Sequence, residues 1–225
     1  NGARCIARFG YEEGLAGEEM VIETTAGPVS AQRLSENRYR VRLNDVTAME
    51  LNRKLTVDVN DVLTEWDCAY VELGNPAIPH LVVEHADLEK IDPKDLWALG
   101  SELRHHKSLP KGANVNFYEI KEDGRIFERT FERGVEDFTY ACGTGTGSVA
   151  AVLTQQGRVP LENGSDVNCG AEVSRAQEAV KPVVIDMAGG RLEVEVVRGE
   201  DGSIRDLFLI GPAEAVFKGE RQVTK

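Results

Sequence analysis

Several common chemistries are excluded by what the chain does not contain. Its 225 residues hold only four cysteines. None has the short paired spacing of a zinc ligand set or a redox dithiol, so reduced thiols fit better than a disulfide framework. Histidine also occurs four times. His105-His106 stand side by side with no second ligand cluster, which reads as a polar helix end, and no metal is expected. Basic residues are in deficit: 26 Lys and Arg against 38 Asp and Glu leave a formal charge of −12. That balance argues against nucleic acid and anionic membrane as partners. No apolar run approaches the length of a membrane span, and a cytoplasmic protein is the expectation. The Gly-Lys-Ser/Thr ending of a P-loop is absent as well.

What is present alternates between strand and helix patterns. Residues 4–13 read as a helix closing at Gly14, and residues 20–25, 28–34 and 38–43 as strands. The stretch 51–62 is polar and is expected to cross between two halves. Residues 67–73 and 80–84 are strand-like, separated by a segment whose Pro76 and Pro79 oppose regular structure. Asp92-Pro93 opens a helix with Leu96, Leu99 and Leu103 on one face. A hairpin spans residues 115–120 and 125–131 around Glu122-Asp123-Gly124. A nearly uncharged helix, expected to be buried all round, ends at Gly157. Strands are expected over 183–187, 191–197, 204–210 and 214–217. Hairpins around one helix per half make the fold class α+β: two pseudo-symmetric lobes, each a mixed or antiparallel sheet wrapped around a central helix. The expected division is 1–62, 63–211, and a C-terminal segment 212–225 returning to the first lobe.

The strongest chemical signal is Glu132-Arg133-Gly134 followed by Ala141-Cys142-Gly143-Thr144-Gly145-Thr146-Gly147-Ser148. It sets a cysteine before a helix N-terminus, where the dipole and unpaired N–H groups favour an anion and lower a thiol pKa. The expectation is that Cys142 reacts with alkylating agents faster than Cys5, which reads as packing within its helix, and faster than Cys68 or Cys169, which read as structural or exposed bystander thiols. The glycines would let a ligand approach the backbone. An acyl-transfer nucleophile is disfavoured because no histidine stands in a partner motif. Gly2-Ala3-Arg4-Cys5-Ile6-Ala7 also echoes Gly145-Thr146-Gly147-Ser148-Val149-Ala150, and residues 21–27 and 39–43 echo 184–190 and 206–210. A long-period duplication of this kind implies two homologous lobes. Two facing helix starts, each preceded by a thiol, would invert a Cα–H stereocentre by removing a proton on one face and returning one on the other.

These residues resemble the diaminopimelate epimerase family, the amino-acid racemases that work without pyridoxal phosphate. The likeness rests on Asn1-Gly2-Ala3-Arg4-Cys5, Gly74-Asn75-Pro76, Ala113-Asn114-Val115-Asn116-Phe117, Glu132-Arg133-Gly134 and Ala141-Cys142-Gly143-Thr144-Gly145. The resemblance implies a cofactor-independent epimerase of L,L- and meso-2,6-diaminopimelate, with its site in the cleft between lobes. Cys142 would be one of two catalytic cysteines. Gly143, Thr144, Asn1 and Gly2 would donate to the reacting carboxylate, and Glu132 would receive the α-ammonium. Arg133, with Asn75 and Asn114, would grip the distal carboxylate, because a guanidinium offers a charged planar fork. The expected partner is a small amino acid, with no nucleic acid and no membrane; a homodimer is compatible with the resemblance. The family's Cys-Gly pair is expected upstream of Asn1, with about 70 residues of the first lobe. Ala77-Ile78-Pro79 intervenes before His80, and Phe138 stands where an acidic residue is common. The alternatives are a related racemase acting on another amino acid and an inert amino-acid-binding fragment.

Overall fold

A computed structural model describes residues 1–159, 181–216 and 219. The chain divides into two compact units, Asn1–Val41 with Ile210–Lys225, and Arg42–Leu209.

The first unit opens with α1 (Gly2–Glu12), followed by β1 (Glu19–Thr24), β2 (Gly27–Arg33) and β3 (Arg38–Arg42). β1 and β2 form an antiparallel hairpin closed at Thr24↔Gly27, where Gly27 takes φ 106° in a conformation that favours glycine. Ala7, Ile22, Ala31, Tyr39 and Val41 are its buried apolar residues. Arg4 is buried beside them, its guanidinium donating to Asn1 Oδ1 at 2.8 Å and to the Pro212 carbonyl at 3.3 Å. The Ala213 N–H donates to the Asn37 carbonyl at 2.9 Å, and Arg8 holds the Ala213 carbonyl.

The second unit contains β4 (Val46–Val59), β5 (Val62–Leu73), β6 (Ile78–Glu84), α2 (Pro93–Arg104), β7 (Asn114–Ile120), β8 (Ile126–Glu132), β9 (Asp137–Thr139), α3 (Gly143–Gln155), β10 (Val183–Met187), β11 (Gly190–Arg198) and most of β12 (Ile204–Pro212). Its strands run in the order β12-β11-β10-β8-β7-β6-β5-β4, with β9 beside β8. The β6–β7 and β8–β10 pairings are parallel and the neighbouring ladders antiparallel, a mixed sheet.

Strand alternation decides what each face of this sheet carries. Leu81, Val83, Val115, Phe117, Phe127 and Phe131 cluster with Leu96, Leu99 and Leu103 of α2. Asp92 caps that helix by accepting from the Lys94 N–H at 2.9 Å. The alternating residues on β6, β7 and β8 include His80, Asn114, Asn116, Glu128 and Thr130, all buried and polar. This polar face lies under α3, in which every residue from Gly145 to Leu153 is buried.

Four expectations need correction. Residues 46–59 form a long strand paired with β5 instead of a crossing, so the units divide at Val41/Arg42 and not after residue 62. Its alternation was hidden by charged residues on an exposed face. Ile78 and Pro79 belong to β6, with Pro79 opposite Glu72. No strand covers residues 214–216, and Phe217 lies outside the described residues. Cys5, expected to pack within its helix, is exposed.

The duplication appears as element order. Each unit gives helix, hairpin, third strand: α1-β1-β2-β3 and α3-β10-β11-β12. Both hairpins close on a positive-φ glycine two residues past the loop start, Gly27 and Gly190.

Candidate active site

Cys142 is the N-cap of α3, with extended backbone at φ −128° and ψ 104°. Its carbonyl accepts the Thr146 N–H at 2.9 Å and the Thr146 hydroxyl at 2.9 Å, which fixes the first turn. Its sulfur lies 3.7 Å from the Thr144 hydroxyl and makes no capping hydrogen bond to the first-turn N–H groups. The Gly189 N–H donates to the Tyr140 carbonyl at 2.8 Å and anchors the approach to this cap.

The expectation of a depressed thiol pKa is overturned. Burial, followed by the negative charge of Glu132, pushes the Cys142 thiol up to about 12, against the pull of Gly145 and Thr144. A helix N-terminus favours the thiolate only where its neighbours do not desolvate or repel it. Cys68, which is buried, is raised to about 11 by desolvation. Cys169 lies outside the described residues.

The glycines of the motif serve packing where ligand approach was expected. A Cβ on Gly145 would stand 2.0 Å from Asn116 Nδ2, and one on Gly147 would stand 2.5 Å from Leu43 Cδ1. The helix sits flush on the sheet because those positions carry no side chain.

Glu132 ends β8, and its Oε1 accepts the Thr139 hydroxyl at 2.5 Å across the β8–β9 ladder. Glu136 builds the turn that follows. Its backbone N–H bonds the Glu132 carbonyl at 2.8 Å, and its Oε1 accepts from the Gly134 N–H at 2.8 Å and from Arg104 at 2.9 Å. Arg133 is exposed on this turn, with Nη1 donating to the Lys111 carbonyl at 3.1 Å. Asn114 is buried and engaged with backbone on both sides. Its Oδ1 accepts the Arg133 N–H at 2.8 Å, and its Nδ2 donates to the Pro79 carbonyl at 3.4 Å. It therefore shapes the Arg133 backbone. Asn75 is exposed in the β5–β6 turn, before Pro76 in a cis peptide.

Glu132, Cys142, Gly143 and Thr144 thus come together at the α3 start, with Arg133 on the adjoining turn. Asn1 and Gly2 belong to the first unit, where Asn1 is the N-cap of α1. The pattern-based reading missed Thr139 and Glu136, and it missed the buried His80–Asn116–Glu128 network below. The polar alternation in β7 and β8 was the available signal. Phe138, the departure from the family pattern, is half-buried in β9 and packs against the core, its ring meeting Phe131 at 5.4 Å. Among the described residues no group of His, Cys, Asp and Glu could hold a metal. No helix there is long and apolar enough to cross a membrane.

The family model for diaminopimelate epimerase matches residues 70–216, which include every second-unit residue of this site. The chain belongs to the diaminopimelate epimerase family. It is 34% identical to the diaminopimelate epimerase of Aquifex aeolicus, over 97% of this chain and 67% of that relative. It is 36% identical to that of a Hydrogenobaculum species, over 65% of this chain and 50% of that relative. A hydroxyproline epimerase from Agrobacterium vitis shares the fold, with TM-score 0.61 and 18% identity over 94% of this chain and 64% of its own. The chain therefore spans about two thirds or less of the lengths of these proteins.

Proposed function

We propose that the chain serves cofactor-independent, two-base epimerisation at the α-carbon of 2,6-diaminopimelate, with Cys142 as one of the two thiols. The observation that carries this reading is the placement of Cys142 as the cap of an uncharged glycine-led helix beside the Glu132 carboxylate. The first-turn N–H groups of Gly143 and Thr144 have no intrahelical acceptor and suit a carboxylate. Glu132 suits the α-ammonium, and Arg133 suits the distal carboxylate.

The raised thiol pKa gains a purpose in this scheme. An ammonium bound at Glu132 offsets the charge that opposes the thiolate, so substrate entry itself favours ionisation of Cys142. The thiolate would take the α-proton, leaving a carbanion whose charge spreads into the carboxylate held by the helix amides. A second thiol would deliver its proton to the opposite face, and the roles reverse in the other direction.

The test is α-proton exchange in deuterium oxide with L,L- and meso-diaminopimelate, lysine and histidine as separate substrates. Diaminopimelate-dependent exchange lost in Cys142→Ala supports the reading. Exchange confined to another amino acid would redirect the substrate, and binding without exchange would leave only an amino-acid-binding module.

A further inference from the structure

Beneath the first turn of α3 lies a buried polar network that the proposed chemistry does not use. Asn116 Nδ2 donates to Glu128 Oε1 at 2.9 Å and to Thr130 Oγ1 at 2.7 Å, and Thr130 Oγ1 donates to the same Glu128 oxygen at 3.2 Å. Both amide hydrogens of Asn116 are thereby used, so its Oδ1 accepts from His80 Nδ1–H at 2.9 Å. His80 Nε2 and Glu128 Oε2 are left without partners, and both residues are at most 2% exposed. The network touches the catalytic turn directly. The missing side chain of Gly145 makes room for Asn116 Nδ2, and a Cβ there would also stand 3.2 Å from Glu128 Oε1. Thr146 neighbours the same carboxyl, but its single hydrogen goes to the Cys142 carbonyl, so it offers Glu128 a lone pair.

A carboxylate with one orphaned oxygen and no cation beside it is costly to bury, whereas the protonated acid is not. The groups facing Glu128 confirm that no compensating charge is at hand. Tyr118 of β7 and Met187 of β10 lie opposite it in the ladders, and Asn116, Thr130, Gly145 and Thr146 approach its carboxyl. Glu132 and Cys142 share its electrostatic surroundings, and His80 reaches it through Asn116, with Glu84 beyond Tyr118. Arg158 is held by Glu84 and the Tyr118 hydroxyl. His80 is kept neutral, pushed down to about 4 by burial, and Glu128 is raised to about 7, again by burial first. The Glu128 charge, when present, acts on Cys142 in the direction that disfavours its thiolate.

We propose that Glu128 is a positioning residue and a charge gate for Cys142: its carboxyl oxygen clamps the Asn116 amide under Gly145, and it permits the thiolate when protonated and opposes it when ionised. This rests on the reading of Cys142 as the thiol that exchanges the α-proton. It adds a control on that thiol from below the helix, separate from the Glu132 charge beside it.

The experiment is the pH dependence of Cys142 alkylation by iodoacetamide, read by peptide mass spectrometry in the full chain and in Glu128→Gln. Glutamine imitates the protonated acid and cannot ionise. The rates should coincide below about pH 6 and diverge above about pH 7, reaching about tenfold faster in the variant near pH 9, the equivalent of one pKa unit. A ratio that does not change with pH, equality included, would overturn the gate. Should the variant not fold, infrared titration of the wild-type chain decides. A protonated-carboxyl carbonyl band must be present at about pH 6 and fade by about pH 8, and its absence at the lower pH refutes the proposal. Neither readout needs substrate, so failure of the epimerase reading, seen as no α-proton exchange in wild type, is separable from failure of the gate.

Discussion

Gly145→Ala tests the packing of α3 in a way that reverses ordinary helix propensity. At an unencumbered helical site this change stabilises by up to about 1 kcal/mol, since alanine loses less backbone entropy. Here the added Cβ would stand 2.0 Å from Asn116 Nδ2, an amide that is buried and bonded to Glu128, Thr130 and His80. Moving it costs about 1–3 kcal/mol in overpacking and about 1 kcal/mol for each hydrogen bond weakened. The balance is a loss of about 2–4 kcal/mol after the propensity gain is subtracted. Gly10→Ala in α1 is the matched control, because its Cβ would meet Ala16 at an ordinary 3.8 Å. That change should stabilise by about 0.5–1 kcal/mol. Urea unfolding of both variants against wild type gives the comparison. A Gly145→Ala chain as stable as wild type, or more stable, would refute the claim that this glycine exists to admit Asn116.

Without substrate at about pH 7, exposed Cys5 should alkylate faster than Cys142; faster Cys142 would contradict the raised thiol pKa. Glu132→Gln removes a charge that opposes the thiolate, so it should speed Cys142 alkylation while impairing diaminopimelate exchange, and a slower alkylation would count against the assignment. Arg133→Lys should raise KM for diaminopimelate with a smaller effect on kcat, since an ammonium cannot reproduce the planar fork; an unchanged KM would remove Arg133 from the distal subsite. Stability against pH offers a further check. His80, low in the fold, contributes stability that is present above about 6.5 and lost as pH falls towards 4. Glu128, raised in the fold, contributes stability that is lost as pH rises from about 4.5 through 7. The two slopes oppose one another over the shared window. Glu128→Gln should therefore gain stability relative to wild type as pH rises, by roughly 3 kcal/mol above pH 7. A difference independent of pH would show that Glu128 does not titrate there.

Much of the molecule was legible where a local rule governs it. Asp92-Pro93 and the leucines after it marked α2, Glu122-Asp123-Gly124 marked the β7–β8 turn, and the uncharged run after Cys142 marked a buried helix. The paired hairpins closing at Gly27 and Gly190 were readable as a repeat because the same turn chemistry recurs. Strand β4 was not legible, since its exposed, charge-rich face concealed the alternation until β5 supplied its partner. Asn114 looked like a ligand group, and only its two backbone bonds revealed that it shapes the Arg133 turn.

The cysteine motif shows the division most clearly. By itself the sequence determined that a thiol caps a glycine-led helix, that Glu132 and Arg133 belong with it, and which family the chain resembles. These follow from residue order, which sets caps, turns and periodicity. Only the tertiary structure decided the state of that thiol and the use of its glycines. Desolvation and like-charge repulsion depend on which groups the fold brings near, and β7 and β8 bring Asn116, Glu128 and Glu132 to the underside and flank of α3. A motif that reads as a ready thiolate is, in the folded chain, a protonated thiol held back by its neighbours.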